Sequence, residues 1–143
     1  MTPPSQDAAR LVIPSDPQRI AEADEFLENM LRRHGIPESL VMDLAIATTE
    51  LINNAIVHGN RRDASKTVSL SVEISSAQVV IRVADQGQGF DPTRIPDPLA
   101  EENLLREVGR GVFIVRSLMD DVQFERGPAG ETVVVARKSL ASA

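Results

Sequence analysis

The sequence predicts an α+β fold in which a largely antiparallel sheet is covered by helices on one face. Residues 67–74 alternate strictly between polar and apolar side chains, and a second alternating run carries Val79, Ile81 and Val83. Such alternation is typical of half-buried strands, and the turn at residues 75–76 predicts that they form an antiparallel hairpin. Most strands are adjacent in the sequence and the helices are grouped apart from them, which indicates an α+β fold.

The first elements are an edge strand and a helix. Residues 10–13 are a short apolar run that predicts an edge strand. Ser15 or Asp16 can cap the helix that follows, because both have side-chain oxygens that accept from backbone N–H groups. Apolar residues at helical spacing continue to about His34, and Gly35 is a natural helix end.

The middle of the chain combines a long apolar helix with a long loop. Pro37 opens a helix rich in Leu, Ile and Ala that reaches about His58 and ends at Gly59-Asn60. Residues 85–111 are rich in Gly, Pro and Asp, with a short helix predicted at 98–106; a loop of this length is usually functional. The remaining elements are a third helix and a second hairpin: residues 112–119, 122–125 and 132–136.

Composition narrows the class of protein. The 143 residues are 42% apolar and 25% charged, as in one globular domain, and the net charge of −6 argues against a nucleic-acid-binding face. The chain has no Cys, which excludes disulfides, and only two His. No apolar run approaches the roughly 20 residues of a membrane span, and the first ten residues do not resemble a signal peptide. We therefore expect a cytoplasmic protein.

The long second helix carries the first candidate site residues. Glu50, Asn54 and His58 are spaced four residues apart and therefore share one helix face. A carboxylate beside a carboxamide can bind a hydrated divalent cation and activate a nearby hydroxyl group. The alternative is that these residues form the solvated stripe of an amphipathic helix.

A second candidate follows the second strand of the hairpin. Asp85 stands at the strand end, where its carboxylate can accept from an exocyclic amine such as N6 of adenine. Gly87 and Gly89 remove side chains where the backbone must bend sharply or approach a flat ligand. The alternative is an ordinary Asp-Gly turn.

A third candidate precedes the third helix. Gly109 and Gly111 are predicted to open the helix N-terminus, where backbone N–H groups can bind an anion, and Arg110 adds positive charge. The alternative is a simple loop exit. The pattern lacks the Lys of a P-loop and the third glycine of a dinucleotide fingerprint.

In this order and spacing the three elements resemble the GHKL ATP-binding fold shared by gyrase, Hsp90, histidine kinases and MutL. Residues 50–54 resemble its N box, 85–89 its G1 box and 109–111 its G2 box. The resemblance covers about residues 10–138, with residues 1–9 and 139–143 as flexible tails. It implies a two-layer α/β sandwich of the Bergerat type, with a mixed, mostly antiparallel sheet.

A narrower resemblance is to the bacterial anti-sigma factor/serine-protein kinases of the RsbW and SpoIIAB type. It is carried by three segments: ELINNAIVHGN, DQGQGFDP and GRGVFIVRSLMDDV. It implies a Mg-ATP-dependent protein serine/threonine kinase in a partner-switching pathway. The implied partners are a STAS-domain antagonist that is phosphorylated, a sigma factor and a second copy of the chain, with no direct contact to nucleic acid or membrane.

The resemblance also implies roles for single residues. Glu50 would be the general base, Asn54 would coordinate Mg²⁺, and Asp85 would accept from adenine N6. Gly87 and Gly89 would let the loop turn beneath the base.

The remaining implied roles concern the phosphates and the lid. Gly109, Arg110 and Gly111 would contact phosphate through backbone amides, residues 91–108 would form an ATP lid, and Thr132 would lie near the adenine. Two other functions stay open: a non-catalytic ATP/ADP-binding switch that regulates a partner, and a kinase whose pathway does not act on a sigma factor.

Overall fold

A five-stranded sheet with three helices on one face forms the molecule. The computed structural model describes residues 7–87 and 102–140, and the side chains within them apart from those of residues 102–108. The strands lie in the order β1-β2-β3-β5-β4. Their bounds are β1 Asp7–Pro14, β2 Thr67–Ile74, β3 Gln78–Ala84, β4 Asp121–Arg126 and β5 Thr132–Ser139.

The sheet confirms the predicted hairpins. Strands β2 and β3 pair antiparallel with Leu70 opposite Val83, and the alternating side chains of β2 are buried under the helices. Among the strands that the structure describes, β1 pairs with β2 alone, which confirms the predicted edge strand. The resemblance predicts a mixed sheet, whereas all four pairings between the described strands are antiparallel.

The predicted tails are too long at both ends. Residues 7–9 belong to β1, where Ala9 pairs with Val72. Ser139 belongs to β5 and pairs with Gln78. Backbone pairing with a neighbouring strand therefore extends the domain beyond the expected limits of residues 10 and 138.

Helix α1 spans Ile20–Arg33 and follows one 3₁₀ turn, Pro17–Arg19. Of the two predicted caps the chain uses Asp16, whose Oδ1 accepts from the backbone N of Gln18 at 2.9 Å. Gly35 ends the helix with a φ of +70°, as its position predicts.

Helix α2 spans Glu38–Asn54 and continues as one π-helical turn, Ala55–Gly59. The prediction that no stretch is long and apolar enough to cross a membrane is wrong for Glu38–Gly59, which passes by length and composition. The stretch packs against β3 and lies between α1 and α3, with Leu44, Leu51 and Ile56 fully or almost fully buried. Its apolar character is that of a central core helix.

Helix α3 spans Glu102–Leu118, which corrects the prediction of a loop up to Gly111 and a helix from Val112. The segment predicted as a separate short helix overlaps its first turns. Gly109, Arg110 and Gly111 lie inside α3, although each glycine costs a helix interior about 1 kcal/mol relative to alanine. Packing of α3 against α2 and burial of Val115 outweigh that cost.

Candidate active site

Asp85 is a buried carboxylate at the end of β3. Its residue is 5% exposed, and its Oδ1 accepts from the backbone N of Gly87 at 3.1 Å and from that of Thr132 at 3.3 Å. The backbone N of Asp85 donates in turn to the carbonyl of Thr132 at 3.2 Å. Burial raises the pKa of Asp85, and the two backbone donors act against that rise. The contacts fix the side chain and leave Oδ2 for another donor.

Two glycines allow the chain to close around this carboxylate. A Cβ atom at Gly59 would lie 2.1 Å from Asp85 Oδ2, and one at Gly87 would lie 1.9 Å from the carbonyl oxygen of Gly59. Neither position can hold a larger residue without moving the backbone or Asp85. Gly87 is predicted from the sequence as a site residue, whereas Gly59 is predicted only as a helix end.

Asn60 is a buried residue whose hydrogen bonds the sequence does not predict. It is 1% exposed, its Nδ2 donates to Ser15 Oγ at 2.6 Å and to the carbonyl of Thr67 at 2.9 Å, and its Oδ1 accepts from the backbone N of Gln86 at 2.8 Å. It therefore joins the ends of β1 and α2 to the loop that carries Asp85. These partners are distant in sequence, so no local pattern reveals them.

The turn after Asn60 has an unusual backbone. Arg61 and Arg62 have φ angles of +53° and +59°, in the left-handed region that non-glycine residues rarely adopt. The backbone N of Arg62 donates to the carbonyl of Ile56 at 2.8 Å, which closes the turn onto the π-helical segment. Strain of this kind is usual beside functional sites.

Asp85 lies in a narrow pocket between the second helix and the sheet. Asn54, His58, Thr132 and Phe124 also line this pocket, whose cavity volume is about 30 Å³. That space holds only one or two water molecules, so a purine ring enters only after lining side chains move. Phe124 and Gly59 are not predicted from the sequence as pocket residues, whereas His58 belongs to the predicted helix face that also carries Glu50 and Asn54.

Glu50 and Asn54 both lie close to α3, and Glu50 is one helical turn before Asn54, which lines the pocket. A Cβ atom at Gly111 would lie 3.0 Å from Glu50 Oε2 and 3.2 Å from Asn54 Nδ2. The glycine thus allows α3 to pass close over both side chains. Asn54 lines the pocket as well, so the predicted N-box residues and Asp85 belong to one continuous site.

The predicted phosphate-binding segment, Gly109–Gly111, does not lie at a helix N-terminus as expected. Gly109, Arg110 and Gly111 do not open a helix, and amides inside an α-helix donate to the carbonyl four residues earlier. In this conformation they are therefore not presented to an anion. The side chain of Arg110 is exposed. Gly89 and most of the predicted lid lie outside the described residues.

The side-chain oxygens of Glu50 and Asn54 suit a magnesium ion whose remaining coordination comes from a bound phosphate compound and water. Among the residues described, no group of three or more His, Asp or Glu side chains is placed to hold a metal. Asn54 offers a carboxamide next to the Glu50 carboxylate, and oxygen donors of this kind are those that Mg²⁺ prefers. A single protein ligand is sufficient where phosphate oxygens and water complete the coordination.

The fold and site define the class of protein. The family model for the histidine kinase-like ATPase domain matches residues 13–137, and the chain belongs to that family. This confirms the GHKL resemblance that the three motifs predict.

Within the family the chain is similar to serine-protein kinases named RsbW. It is 29% identical over 123 residues to RsbW of Oceanobacillus iheyensis, which covers 82% of this chain and 78% of the relative. It is 28% identical to RsbW of Listeria innocua, with the same coverage. These relatives confirm the narrower resemblance.

A solved structure has the same fold. The crystal structure of the RsbU and RsbW domains of Rv1364c from Mycobacterium tuberculosis matches with a TM-score of 0.65 and 18% identity. The match covers 95% of this chain and 34% of the other, so the chain spans about a third of that structure. It confirms the predicted α+β architecture.

Proposed function

We propose that the protein is a Mg-ATP-dependent protein serine/threonine kinase and anti-sigma factor. In this proposal it transfers the γ-phosphoryl group of ATP to a serine or threonine of a STAS-domain antagonist, and it binds a sigma factor in the same partner-switching pathway. Family membership and the similarity to kinases named RsbW support the proposal. The observation that carries it is that Glu50 and Asn54 lie together at Gly111 and that Asn54 also lines the pocket of Asp85.

Glu50 acts as the general base in this proposal. Its carboxylate takes the proton of the acceptor hydroxyl as the oxygen forms a bond to the γ-phosphorus. The bond between that phosphorus and the β,γ-bridging oxygen breaks, and ADP leaves with the electron pair. Phosphoryl transfer needs mainly positioning and charge neutralisation from the protein, so a partly exposed carboxylate next to the phosphates is sufficient.

Asp85 selects adenine in this proposal. Oδ1 is held by two backbone donors, so Oδ2 is the oxygen that accepts from the exocyclic amine. Guanine carries a carbonyl at the corresponding position, and two acceptors facing each other in a buried site are unfavourable. Thr132 lies beside the same carboxylate, and Gly87 with Gly89 gives the loop room beneath the base.

In this proposal Asn54 and Gly109–Gly111 bind the phosphate groups of ATP. Asn54 would hold Mg²⁺, which supplies charge neutralisation on the phosphate oxygens. A contact of phosphate with the amides of Gly109, Arg110 and Gly111 requires α3 to unwind locally, because the helix itself uses those donors. We further propose that the protein is a cytoplasmic homodimer that contacts neither nucleic acid nor membrane.

Labelled ATP and a purified STAS-domain antagonist test the kinase proposal. We expect the wild-type protein to label the antagonist and Glu50→Gln to reduce the rate by about 100-fold or more, while ATP binding persists. Asn54→Ala should weaken ATP binding in the presence of Mg²⁺ and have little effect without it. Asp43→Asn, which removes a carboxylate elsewhere on α2, is the matched control.

Two results would contradict parts of the proposal. Equal rates for Glu50→Gln and the wild type would exclude Glu50 as the base. ATP binding without any labelled antagonist would instead favour a nucleotide-dependent switch that regulates its partner without phosphoryl transfer.

A further inference from the structure

A groove runs between helices α1 and α2 and ends at Glu50. Its volume is about 410 Å³; Asp24 and Glu28 from α1 form one wall, and Met42 and Ile46 from α2 form the floor. Glu50 lines the same groove and contacts α3 at its other side. The groove is therefore a surface from which a second molecule reaches the proposed base.

The floor of the groove is an exposed apolar stripe. Met42 is 63% exposed and Ile46 is 47% exposed, although both belong to a helix whose other apolar residues are core. Single exposed apolar residues are ordinary, but these two are one helical turn apart in the same concavity. A partner that places apolar side chains here removes both from water.

The wall of the groove has an excess of negative charge. Asp24 and Glu28 are one turn apart, and burial together with the neighbouring Glu28 carboxyl group raises the pKa of Asp24 to about 6. Arg32 donates to Glu28 at 2.8 Å, but the same guanidinium also pairs with Glu38 at 3.0 Å. A cationic group from a partner would neutralise the negative charge that Arg32 leaves on this wall.

The spacing along α2 defines a register. Met42, Ile46 and Glu50 follow one another at four-residue steps, which are about 6 Å apart along a helix. An extended chain advances about 6.6 Å in two residues and keeps alternate side chains on one face. A chain with its hydroxyl at Glu50 thus carries its second residue over Ile46 and its fourth over Met42.

We propose that this groove holds the acceptor segment of the phosphorylated protein. The segment it fits is extended, with apolar side chains two and four residues from the acceptor serine or threonine. The residues between them start on the opposite face, so they are lysine or arginine, whose long flexible side chains can bend around the segment to Asp24 and Glu28 at the wall. This inference rests on the proposed kinase function and adds the recognition chemistry of its protein substrate.

Two labelled peptides test the groove directly. Both carry a central serine with leucine two and four residues away on each side, and the intervening positions are all lysine in one peptide and all glutamate in the other. We expect fluorescence anisotropy to show the lysine peptide binding wild-type protein about tenfold or more tightly than the glutamate peptide. Equal affinities, or no binding of either, would overturn the inference.

Variants connect peptide binding to the groove. We expect Met42→Ala with Ile46→Ala, and separately Asp24→Asn with Glu28→Gln, to weaken the lysine peptide and to raise the KM for the protein antagonist by about tenfold. ATP affinity should not change. Val12→Ala, which truncates an exposed apolar residue of β1, and Glu25→Gln, which neutralises an exposed carboxylate of α1, are the controls.

The outcomes separate this inference from the kinase proposal. An unchanged KM in both double variants would overturn the groove while leaving the kinase intact. Absence of transfer by the wild type would overturn the kinase, and peptide affinity would still decide the groove. A change of molar mass from dimer to monomer in the Met42/Ile46 variant would assign the groove to a second copy of the chain and overturn the proposal.

Discussion

The site has two ends that are built differently: a base end around Asp85, and a phosphate end around Glu50, Asn54 and the glycines of α3. At the base end, Asp85 is buried, accepts from two backbone donors and lies against glycines that leave no spare space. At the phosphate end, Glu50 and Asn54 are partly exposed and are covered by Gly111 from a continuous helix. The backbone contacts around Asp85 are thus formed before a ligand arrives, and only side chains that line the pocket must move to admit a purine ring. The phosphate end, in contrast, must unwind part of α3 before the amides of Gly109–Gly111 can bind phosphate.

This difference has a physical origin. The base end depends on strand ends and on Asn60, whose amide links segments that the sheet already holds in register. The phosphate end depends on a helix with two interior glycines, which lower its stability. Recognition of the base therefore requires movement of side chains in the pocket but not of the backbone, while binding of the phosphates is coupled to the conformation of α3.

The largest effect is expected from Gly87→Ala at the base end. The added Cβ atom would lie 1.9 Å from the backbone oxygen of Gly59, so the loop must move and we expect a loss of about 3 kcal/mol in the free energy of unfolding. Thermal or urea denaturation measures this loss, and ATP binding should disappear with it. A variant as stable as the wild type would show that the base end is not closely packed.

Asp85→Asn tests the chemistry of the same end without changing its shape. We expect ATP affinity to fall by about 100-fold, because an amide NH₂ can face the adenine amine and the charge is lost. Burial raises the pKa of Asp85, so the folded state disfavours the ionised carboxylate. The variant should therefore be more stable than the wild type at neutral pH and lose this advantage below the ordinary carboxyl pKa. Unchanged ATP affinity would remove Asp85 from the site.

Gly109→Ala tests the phosphate end and should act in the opposite direction on stability. An added Cβ atom meets nothing within 4 Å, so the helix should gain about 1 kcal/mol. If phosphate binding unwinds α3, the same free energy opposes it and ATP affinity falls by about fivefold. A lower melting temperature would contradict a helix at this position, and an unchanged affinity would contradict the coupling.

Asp24→Asn, outside both ends, should have the smallest effect. The pKa of Asp24 is raised to about 6 by burial and by Glu28. Since the folded protein holds this proton more tightly than the unfolded chain does, the wild type loses stability as the pH rises from about 4 to 6. The variant should melt at a higher temperature at pH 7.5 and equally at pH 4. A melting difference independent of pH would contradict the raised pKa; Glu25→Gln is the control.

The sequence predicts Asp85 at the base end and the two α2 residues of the phosphate end better than it predicts the glycines of α3. The strict alternation of β2 and β3 locates Asp85 at a strand end, and four-residue spacing along α2 brings Glu50 and Asn54 together. These are local patterns that burial enforces directly. The family resemblance implies that Asp85, Gly87 and Thr132 all lie near the adenine, and the structure brings the three residues together.

Two features depend on distant contacts and escape prediction. Gly109 and Gly111 suggest a helix start by local propensity, but α3 continues through them because it packs on α2, and Gly111 is small where it crosses Glu50. The sequence predicts Asn60 only as a helix end, whereas in the structure its side chain forms hydrogen bonds to Ser15 and Gln86. Tertiary packing overrides local preference in both cases.

Calorimetric titration with ATP, ADP and GTP, each with and without Mg²⁺, tests most directly whether both ends form one nucleotide site. The account predicts that ATP binds at least about tenfold more tightly than GTP, as expected for Asp85, and that Mg²⁺ strengthens ATP binding, as expected for Asn54. Equal binding of ATP and GTP with no effect of Mg²⁺ would contradict it.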